Sequence, residues 1–185
     1  ISPERIVAEY KAKGWENVIC YGMGSTLDDV KNAAAAEMNI VCSASAIKAA
    51  EYLKEKFGTP YEIEYPQSCL PEEIVQKADN FTDKNVLVIH NQTAADAVRK
   101  LITEKSGKCH CTSATFFMQK KELLQQGDIF LADESDLCDN VGDNYDVVIA
   151  DKTLRRVMKN FSGEFIDFPH FGLSGRLLQG ESEKI

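Results

Sequence analysis

The feature that most constrains the fold is an alternation of short apolar strands with helices of 10 to 15 residues. The clearest example begins with "NVLVIH" at 85–90, whose unbroken apolar run is typical of a strand covered on both faces. A helix follows at 93–105, with these residues on its inner face: Ala94, Val98, Leu101 and Ile102. Such alternation predicts βαβ units and parallel sheets, so we expect an α/β protein.

The alternation occurs in two blocks, which predicts two Rossmann-like (flavodoxin-like) lobes. The predicted boundaries are a first lobe at 1–66, a connector at 67–83, a second lobe at 84–172 and a C-terminal tail at 173–185. In open parallel sheets ligands bind beyond the carboxyl ends of the strands. The candidate site residues are therefore sought at strand ends.

The remaining elements follow from periodicity and from helix start and stop signals. In the first lobe we expect helices at 3–13, 26–36 and 45–57, and strands at 17–21, 39–41 and 61–65. In the second lobe we expect strands at 108–117, 128–133, 145–151 and 164–168, and helices at 119–127 and 152–161. Gly58 and Pro60 predict the end of helix 45–57.

Composition narrows the partners and the compartment. The 185 residues carry a net charge of −8, which argues against nucleic acid as a partner. No apolar run approaches the ~20 residues that span a bilayer, and the first residues do not resemble a signal peptide, so we expect a cytoplasmic protein with no membrane partner. Six scattered cysteines without a CxxC pair predict reduced thiols. Without an initiating Met, the chain is also expected to be a piece of a longer polypeptide.

The glycine-containing turn "GMGSTLDD" at 22–29 raises the question of a nucleotide site. A dinucleotide fingerprint needs a third glycine where Leu27 stands. Ser25 and Asp28 have capping-box spacing, and acidic residues in the first helical turn would repel a phosphate. We therefore expect a tight turn with a capped helix, and no nucleotide site.

Four longer stretches carry a resemblance to a known family. They are "GSTLDDVKNAAAAEMNIV", "AAEYLKEKFGTPY", "KNVLVIHNQTAADAVRKLITEKSGKC" and "YDVVIADKTLRRVMKNFSGEFIDFP". In this order they resemble the C-terminal two lobes of component 1 of nitrogenase and its relatives, the nitrogenase-like reductases and cofactor-assembly scaffolds. The resemblance covers residues 14–176.

The resemblance implies a cytoplasmic oxidoreductase with a buried metal cluster, iron-sulfur or related, or a tetrapyrrole. It also implies assembly with a similar subunit, as a homo- or hetero-oligomer, and electron transfer from an ATP-dependent iron protein. The cysteines of the family's bridging cluster lie in an N-terminal lobe with no counterpart here.

Two metal-binding positions are carried over from the family. Cys42 directly follows "NIV" at 39–41, one residue earlier than the family's cofactor cysteine. His170 lies in "FPHFGLSG", one residue later than the family's histidine ligand. The resemblance thus implies Cys42 and His170 as metal ligands, and a thiolate with an imidazole is a donor pair that suits iron.

His90 and Asn91 are candidate cofactor-binding residues on the evidence of position alone. His90 ends a predicted strand and Asn91 opens the next helix, so both are expected at the crevice beyond the sheet. The alternative is that His90 is a structural histidine held by hydrogen bonds.

Two further clusters have weaker signals. Cys109-His110-Cys111 places two thiols on one face of a strand, but the two thiols are more simply explained as small buried side chains. Six aspartates and glutamates within 133–146 lack the spacing of a calcium loop, so we expect a solvated acidic loop or a docking surface for a basic partner.

Three functions remain open from the sequence. The first is an oxidoreductase that holds a cofactor or substrate between its lobes, with the site residues Cys42, His90, Asn91 and His170. The second is a non-catalytic carrier or cofactor-assembly scaffold. The third is a metal-free module that binds a small molecule, because fold alone does not determine activity.

Overall fold

The computed structural model describes residues 2–141 and 144–174, which form two compact units. Unit 1 contains the described residues up to Cys69, and unit 2 contains those from Leu70 onward. The division falls inside the predicted connector, 67–83. The predicted tail, 173–185, lies from residue 175 onward outside the described residues, as do Gly142 and Asp143 of the acidic run.

Unit 1 carries a small sheet and three α-helices among its described residues. The elements are α1 (Pro3–Ala12), α2 (Leu27–Lys31), β1 (Asn39–Val41), α3 (Ile47–Phe57) and β2 (Tyr61–Ile63). β1 and β2 pair in parallel, with Asn39 opposite Tyr61. The predicted end of α3 is confirmed, since Gly58 adopts the left-handed conformation with φ of 77° that closes many helices.

The predicted strand at 17–21 is wrong. Among the described residues no strand pairs with this segment, and Ile19 and Tyr21 are 48% and 42% exposed. A strand without a neighbouring strand has no hydrogen-bond partners for its backbone amides and carbonyls. An apolar pattern is therefore not enough to form a strand.

The helix that follows is shorter than predicted, and its cap lies one residue later. The capping box is formed by Thr26 and Asp29 instead of Ser25 and Asp28. Asp29 accepts hydrogen bonds from the Thr26 amide and hydroxyl at 2.7 and 2.8 Å. Ser25 instead accepts a hydrogen bond from the Gly22 amide, which holds it in the preceding turn.

Unit 2 is an open parallel sheet flanked by helices. Its elements are α4 (Glu72–Lys77), β3 (Asn85–Ile89), α5 (Gln92–Ser106), β4 (His110–Thr115), β5 (Ile129–Phe130), α6 (Glu134–Val141), β6 (Val147–Ala150), β7 (Glu164–Asp167) and α7 (Phe171–Ser174). All five strands are parallel, in the order β5-β4-β3-β6-β7, which is the Rossmann order. The predicted α/β class is confirmed. None of the helices in the described residues is long and apolar enough to cross a membrane.

The core of unit 2 lies on the two central strands. Residues 86–89 of β3 are at most 1% exposed, and residues 147–150 of β6 are fully buried. The predicted inner face of α5 is buried as well: Ala94, Val98, Leu101 and Ile102. Burying both faces of a parallel sheet explains why these strands have near-continuous apolar sequences.

The predicted α-helices at 119–127 and 152–161 in unit 2 are wrong. Residues 119–127 contain only a 3-10 turn, Lys121–Leu123, because the Gln92 side chain holds the Lys120 backbone amide and carbonyl. Residues 152–161 begin with a 3-10 turn, Lys152–Arg156.

The acidic run forms α6, not a loop. Asp133 accepts hydrogen bonds from the amides of Ser135 and Asp136, and this satisfies donors of the first helical turn. The acidic residues at this end also lie favourably in the field of the helix dipole. The acidic side chains that predicted a solvated loop therefore stabilise the start of a helix.

Candidate ligand site at the carboxyl edge of unit 2

The strand order of unit 2 creates a crevice at one place. The chain leaves β3 in one direction through β4 and β5, and then returns to the other side of β3 through β6 and β7. The loops after β3 and β6 therefore diverge, and this reversal point is where open α/β sheets bind ligands. His90 follows β3 and Asp151 follows β6, so both lie at this point.

His90 is held in a buried position beyond β3. Its ring is stacked on Phe168, with centroids 4.0 Å apart, and the residue is 4% exposed. Nε2 lies 3.3 Å from the Pro169 carbonyl oxygen. Because a carbonyl only accepts, Nε2 carries the proton in this contact.

His170 belongs to the loop after β7 and lies against His90. The two imidazole rings meet edge to face at 4.6 Å between centroids, and His170 stacks on Phe117 at 3.7 Å. Four rings thus form one row at the carboxyl edge, contributed by the segments after β3, β4 and β7: Phe168, His90, His170 and Phe117. We call these four residues the ring row.

Asp151 anchors the loop that carries His170. It is fully buried, and it accepts hydrogen bonds from the Thr153 amide and hydroxyl and, at 2.8 Å, from the His170 amide. Burial alone would raise the pKa of Asp151, but hydrogen bonds from Ser174, Thr153 and His170 outweigh it and lower the pKa to about 2. The carboxylate is therefore charged at neutral pH and committed to the fold.

Asn91 is the N-cap of α5. Its side-chain oxygen accepts hydrogen bonds from the Ala94 amide and the Thr93 hydroxyl, both at 2.9 Å. This commits the oxygen to the start of a 15-residue helix. Asn91 also contributes to the environment of His90, because a hydrogen bond with its side chain acts on the His90 pKa.

Both histidines of the ring row are neutral near pH 7. Burial, followed by repulsion from His170, lowers the pKa of His90 to about 3, although hydrogen bonds to Pro169 and Asn91 act in the opposite direction. Burial also lowers the pKa of His170, against the attraction of Asp151. His90 and Phe168 are at most 4% exposed, so the accessible part of this edge is the uncharged imidazole of His170 and the ring of Phe117, which are half-buried.

Cys42 lies in unit 1, while His90, Asn91 and His170 lie in unit 2. Burial raises the pKa of Cys42 to about 12, and four neighbours raise it further: Cys69, Cys20, Glu64 and Glu9. The nearby Tyr10 is 5% exposed, and burial together with the Glu64 carboxylate raises its pKa.

The surroundings of Cys42 favour its neutral thiol, so a metal bound there would have to displace the thiol proton. His170 uses its Nδ1 lone pair to accept a hydrogen bond from the Gly172 amide at 3.0 Å. Within the part of the chain that the structure describes, no group of three or more His, Cys, Asp or Glu side chains is placed to hold a metal ion.

The Cys109-His110-Cys111 stretch lies at the start of β4 in unit 2. Cys111 lies on β4, and burial raises its pKa to about 12, with Arg99 acting in the opposite direction. Cys109 donates a weak hydrogen bond from its thiol to the Lys84 carbonyl, and His110 is exposed. Cys111 agrees with the simpler interpretation of a thiol packed on a strand, whereas Cys109 lies one residue before β4 and is half-buried.

Three residues of the site escaped the sequence reasoning: Phe117, Asp151 and Phe168. Asp151 had a usable signal, since an acidic residue directly after a fully apolar strand is expected at the carboxyl edge. Phe117 and Phe168 had no such signal, because aromatic residues near strand ends most often belong to the core.

Strand order defines unit 2 as a Rossmann-like unit, and the ring row lies at its carboxyl edge, where units of this class bind ligands. No family model matches the chain, and no curated protein matches it either. A solved structure titled "Nitrogenase Cp1 at pH 6.5" has the same fold, with a TM-score of 0.51 and 15% sequence identity. The alignment covers 83% of this chain and 43% of that one, so the chain spans less than half of its neighbour's length.

Proposed function

We propose that the chain is a lobe pair of a nitrogenase component 1-like oxidoreductase, and that unit 2 binds a flat organic molecule, the substrate or a cofactor, for reduction. The observation that carries the proposal is the ring row at the carboxyl edge. The two half-buried rings of the row, Phe117 and His170, offer stacking surface together with a neutral imidazole that can form hydrogen bonds, which is the mixture typical of small-molecule sites.

The role of each residue follows from its contacts. Phe117 offers stacking surface and holds the His170 ring, and the buried Phe168 holds the His90 ring in place. Asp151 orients the His170 loop through the His170 amide, and Asn91 fixes the start of α5 beside His90. None of these groups carries electrons, so reduction needs a donor outside the unit.

The complete protein supplies that donor in this proposal. The sequence resemblance implies a cytoplasmic assembly with a similar subunit and an ATP-dependent iron protein as the reductase. Because the chain spans 43% of its structural neighbour, we assign this chemistry to the full assembly. The part of this chain is to bind and orient the acceptor of the electrons.

A cofactor carrier or assembly scaffold is the second candidate function. It is favoured by the fold shared with nitrogenase Cp1 and by the position of Cys42 directly after β1. In that function a metal cluster or its precursor would be held in transit, and the cysteine would have to lose its proton on binding.

The test uses the complete protein, purified without oxygen. Bound small molecules are identified by mass spectrometry after denaturation, and iron is measured on the same sample. We expect an organic molecule that is lost in Phe117→Leu and retained in Phe130→Leu, a control at a 54% exposed position on β5. Retention of the molecule in Phe117→Leu would contradict the ring row as the site.

Two further measurements separate the candidates. Iron that disappears in Cys42→Ala while no organic molecule is found would favour the carrier or scaffold. Turnover of the bound molecule with a chemical reductant would identify the oxidoreductase, because a scaffold releases its cargo unchanged.

A further inference from the structure

We propose that His170 serves the bound molecule as a hydrogen-bond donor through Nε2–H, to an uncharged carbonyl oxygen, and that it is not a metal ligand. The inference rests on the proposed function for the binding of an organic molecule, but the position of the proton on the ring stands by itself. It replaces the metal-binding role that the resemblance implied for this residue.

The Gly172 amide decides which nitrogen carries the proton. It lies 3.0 Å from His170 Nδ1, and a backbone N–H can only donate. Nδ1 therefore offers its lone pair, and the single proton of the neutral ring is on Nε2. No described residue accepts a hydrogen bond from Nε2, so this donor is available to a ligand.

Metal binding would require the loss of this arrangement. Ligation through Nε2 moves the proton to Nδ1, where two N–H groups would face each other. Ligation through Nδ1 displaces the Gly172 amide, and the ring then loses the hydrogen bond that fixes its orientation. Ligating histidines instead donate from their second nitrogen to an acceptor.

The loop is held so that the ring cannot easily turn away from Gly172. The His170 amide donates to Asp151, and the His170 carbonyl accepts from the amides of Leu173 and Ser174 at 3.0 and 3.1 Å. Stacking on Phe117 with an interplanar angle of 17° restricts the ring itself. The donor is thus preorganised before a ligand arrives.

The charge of Asp151 selects the kind of acceptor. Both oxygens of this carboxylate accept hydrogen bonds, one from the Thr153 amide and hydroxyl and the other from the His170 amide, as the ionised form does. A negative ligand would be repelled, whereas the oxygen of an amide or ketone would not. An aromatic amide combines a flat ring for stacking with such an oxygen.

The tautomer is measured directly by long-range proton–nitrogen NMR on protein with labelled histidine. We expect the Nε2–H form at His170 and no change in its resonances on addition of Zn²⁺. Observation of the Nδ1–H form, or a shift of the His170 nitrogens by micromolar Zn²⁺, would overturn the proposal. Neither result would bear on whether the ring row binds an organic molecule.

A matched pair of variants tests the cause. Gly172→Pro removes the amide proton, whereas Gly172→Ala keeps it and adds a Cβ that would meet Phe117 at 3.2 Å and the His170 ring at 3.3 Å, a contact that a small shift of the two rings relieves. We expect Gly172→Ala to keep the Nε2–H form and Gly172→Pro to populate both tautomers. An unchanged tautomer in a folded Gly172→Pro protein would show that the amide is not the cause.

The donor role is tested with benzamide and benzoate as probes, which requires no glycine variant. We expect benzamide to shift the His170 Nε2 resonance and to bind more tightly than benzoate. His170→Gln, which places an N–H near the position of Nε2, should retain benzamide binding, and His170→Met should weaken it about fivefold, the value of one hydrogen bond. Equal binding of the two probes, or equal loss in both variants, would overturn the carbonyl donor role.

Discussion

Units 1 and 2 carry similar strand and helix patterns in their sequences, yet only unit 2 builds an extensive sheet among the described residues. In unit 2, β3 and β6 are buried along residues 86–89 and 147–150. In unit 1 the two strands have three residues each, and Val41 is the buried residue among them. A parallel strand becomes stable when both of its faces are covered, and only the central strands of unit 2 meet that condition.

The difference also governs where chemistry can be assembled. In unit 2 several strands end at one edge, so loops distant in sequence bring together four rings and a buried carboxylate. In unit 1 Cys42 follows a three-residue strand, and its surroundings favour a neutral thiol. The candidate ligand site therefore develops where the sheet is wide.

The strongest test of the comparison is a pair of core truncations. Ile149→Ala on β6 removes a fully buried side chain and should lower the free energy of unfolding of unit 2 by about 2 to 5 kcal/mol. Ile63→Ala on β2, where the side chain is 37% exposed, should cost less than about 1 kcal/mol. Hydrogen exchange of the strand amides measures each unit separately. Equal losses would contradict the difference in burial.

A second test uses a carboxylate in each unit. The pKa of Asp151 is about 2 when folded, against 3.8 as its usual value, so its contribution is present above about pH 4 and lost as pH falls towards 2. Asp151→Asn should remove about 2 kcal/mol at neutral pH together with this pH dependence.

The control is Asp29→Asn in unit 1. Hydrogen bonds from the Thr26 amide and hydroxyl lower the pKa of Asp29, but this side chain is near the surface, so the effect should be smaller. Denaturant unfolding between pH 2 and 7 measures both variants. If the free energy of unfolding of Asp151→Asn depends on pH as it does in the wild type, another group causes that dependence.

A third test asks whether local backbone conformation differs between the units. Gly58 ends α3 with φ of 77°, and Gly107 ends α5 with φ of 72°; a Cβ added at either meets nothing within 4 Å. Gly58→Ala should therefore cost about 1 kcal/mol. Gly107→Ala should cost more, because its ψ of −57° lies outside the left-handed helical region that residues other than glycine can adopt. Denaturant unfolding measures both variants, and equal losses would contradict this difference between the two helix ends.

The smallest expected effect concerns the start of α2. Thr26→Ala removes the cap and should cost about 0.5 to 1 kcal/mol of helix stability, because the Asp29 amide loses its acceptor. Ser25→Ala should cost less, since Ser25 contacts only the Gly22 amide in the preceding turn. Amide hydrogen exchange over residues 27–31 measures the loss of helix stability in each variant. A larger loss in Ser25→Ala than in Thr26→Ala would show that Ser25 caps the helix.

The site was partly predictable from the sequence. Positions directly after apolar strands identified His90 and Asn91, and the family resemblance identified His170. The interpretation of His170 as a metal ligand could not be checked from the sequence, because it depends on the Gly172 amide, two residues later in a turn whose geometry the sequence does not specify. Phe117 and His90 lie 27 positions apart in sequence, and only the order of the strands brings their loops to one edge.

The sequence by itself determined the α/β class, the central strands β3 and β6 and the inner face of α5, because burial on both faces imposes a continuous apolar run that can be recognised locally. Tertiary structure alone decided that 17–21 is not a strand, that 119–127 is not a helix and that four rings form a row. Each of these outcomes depends on a partner distant in the chain: a neighbouring strand, the Gln92 side chain, or a loop from another strand. Local periodicity carries no information about such partners, since they are supplied by the packing of the whole unit.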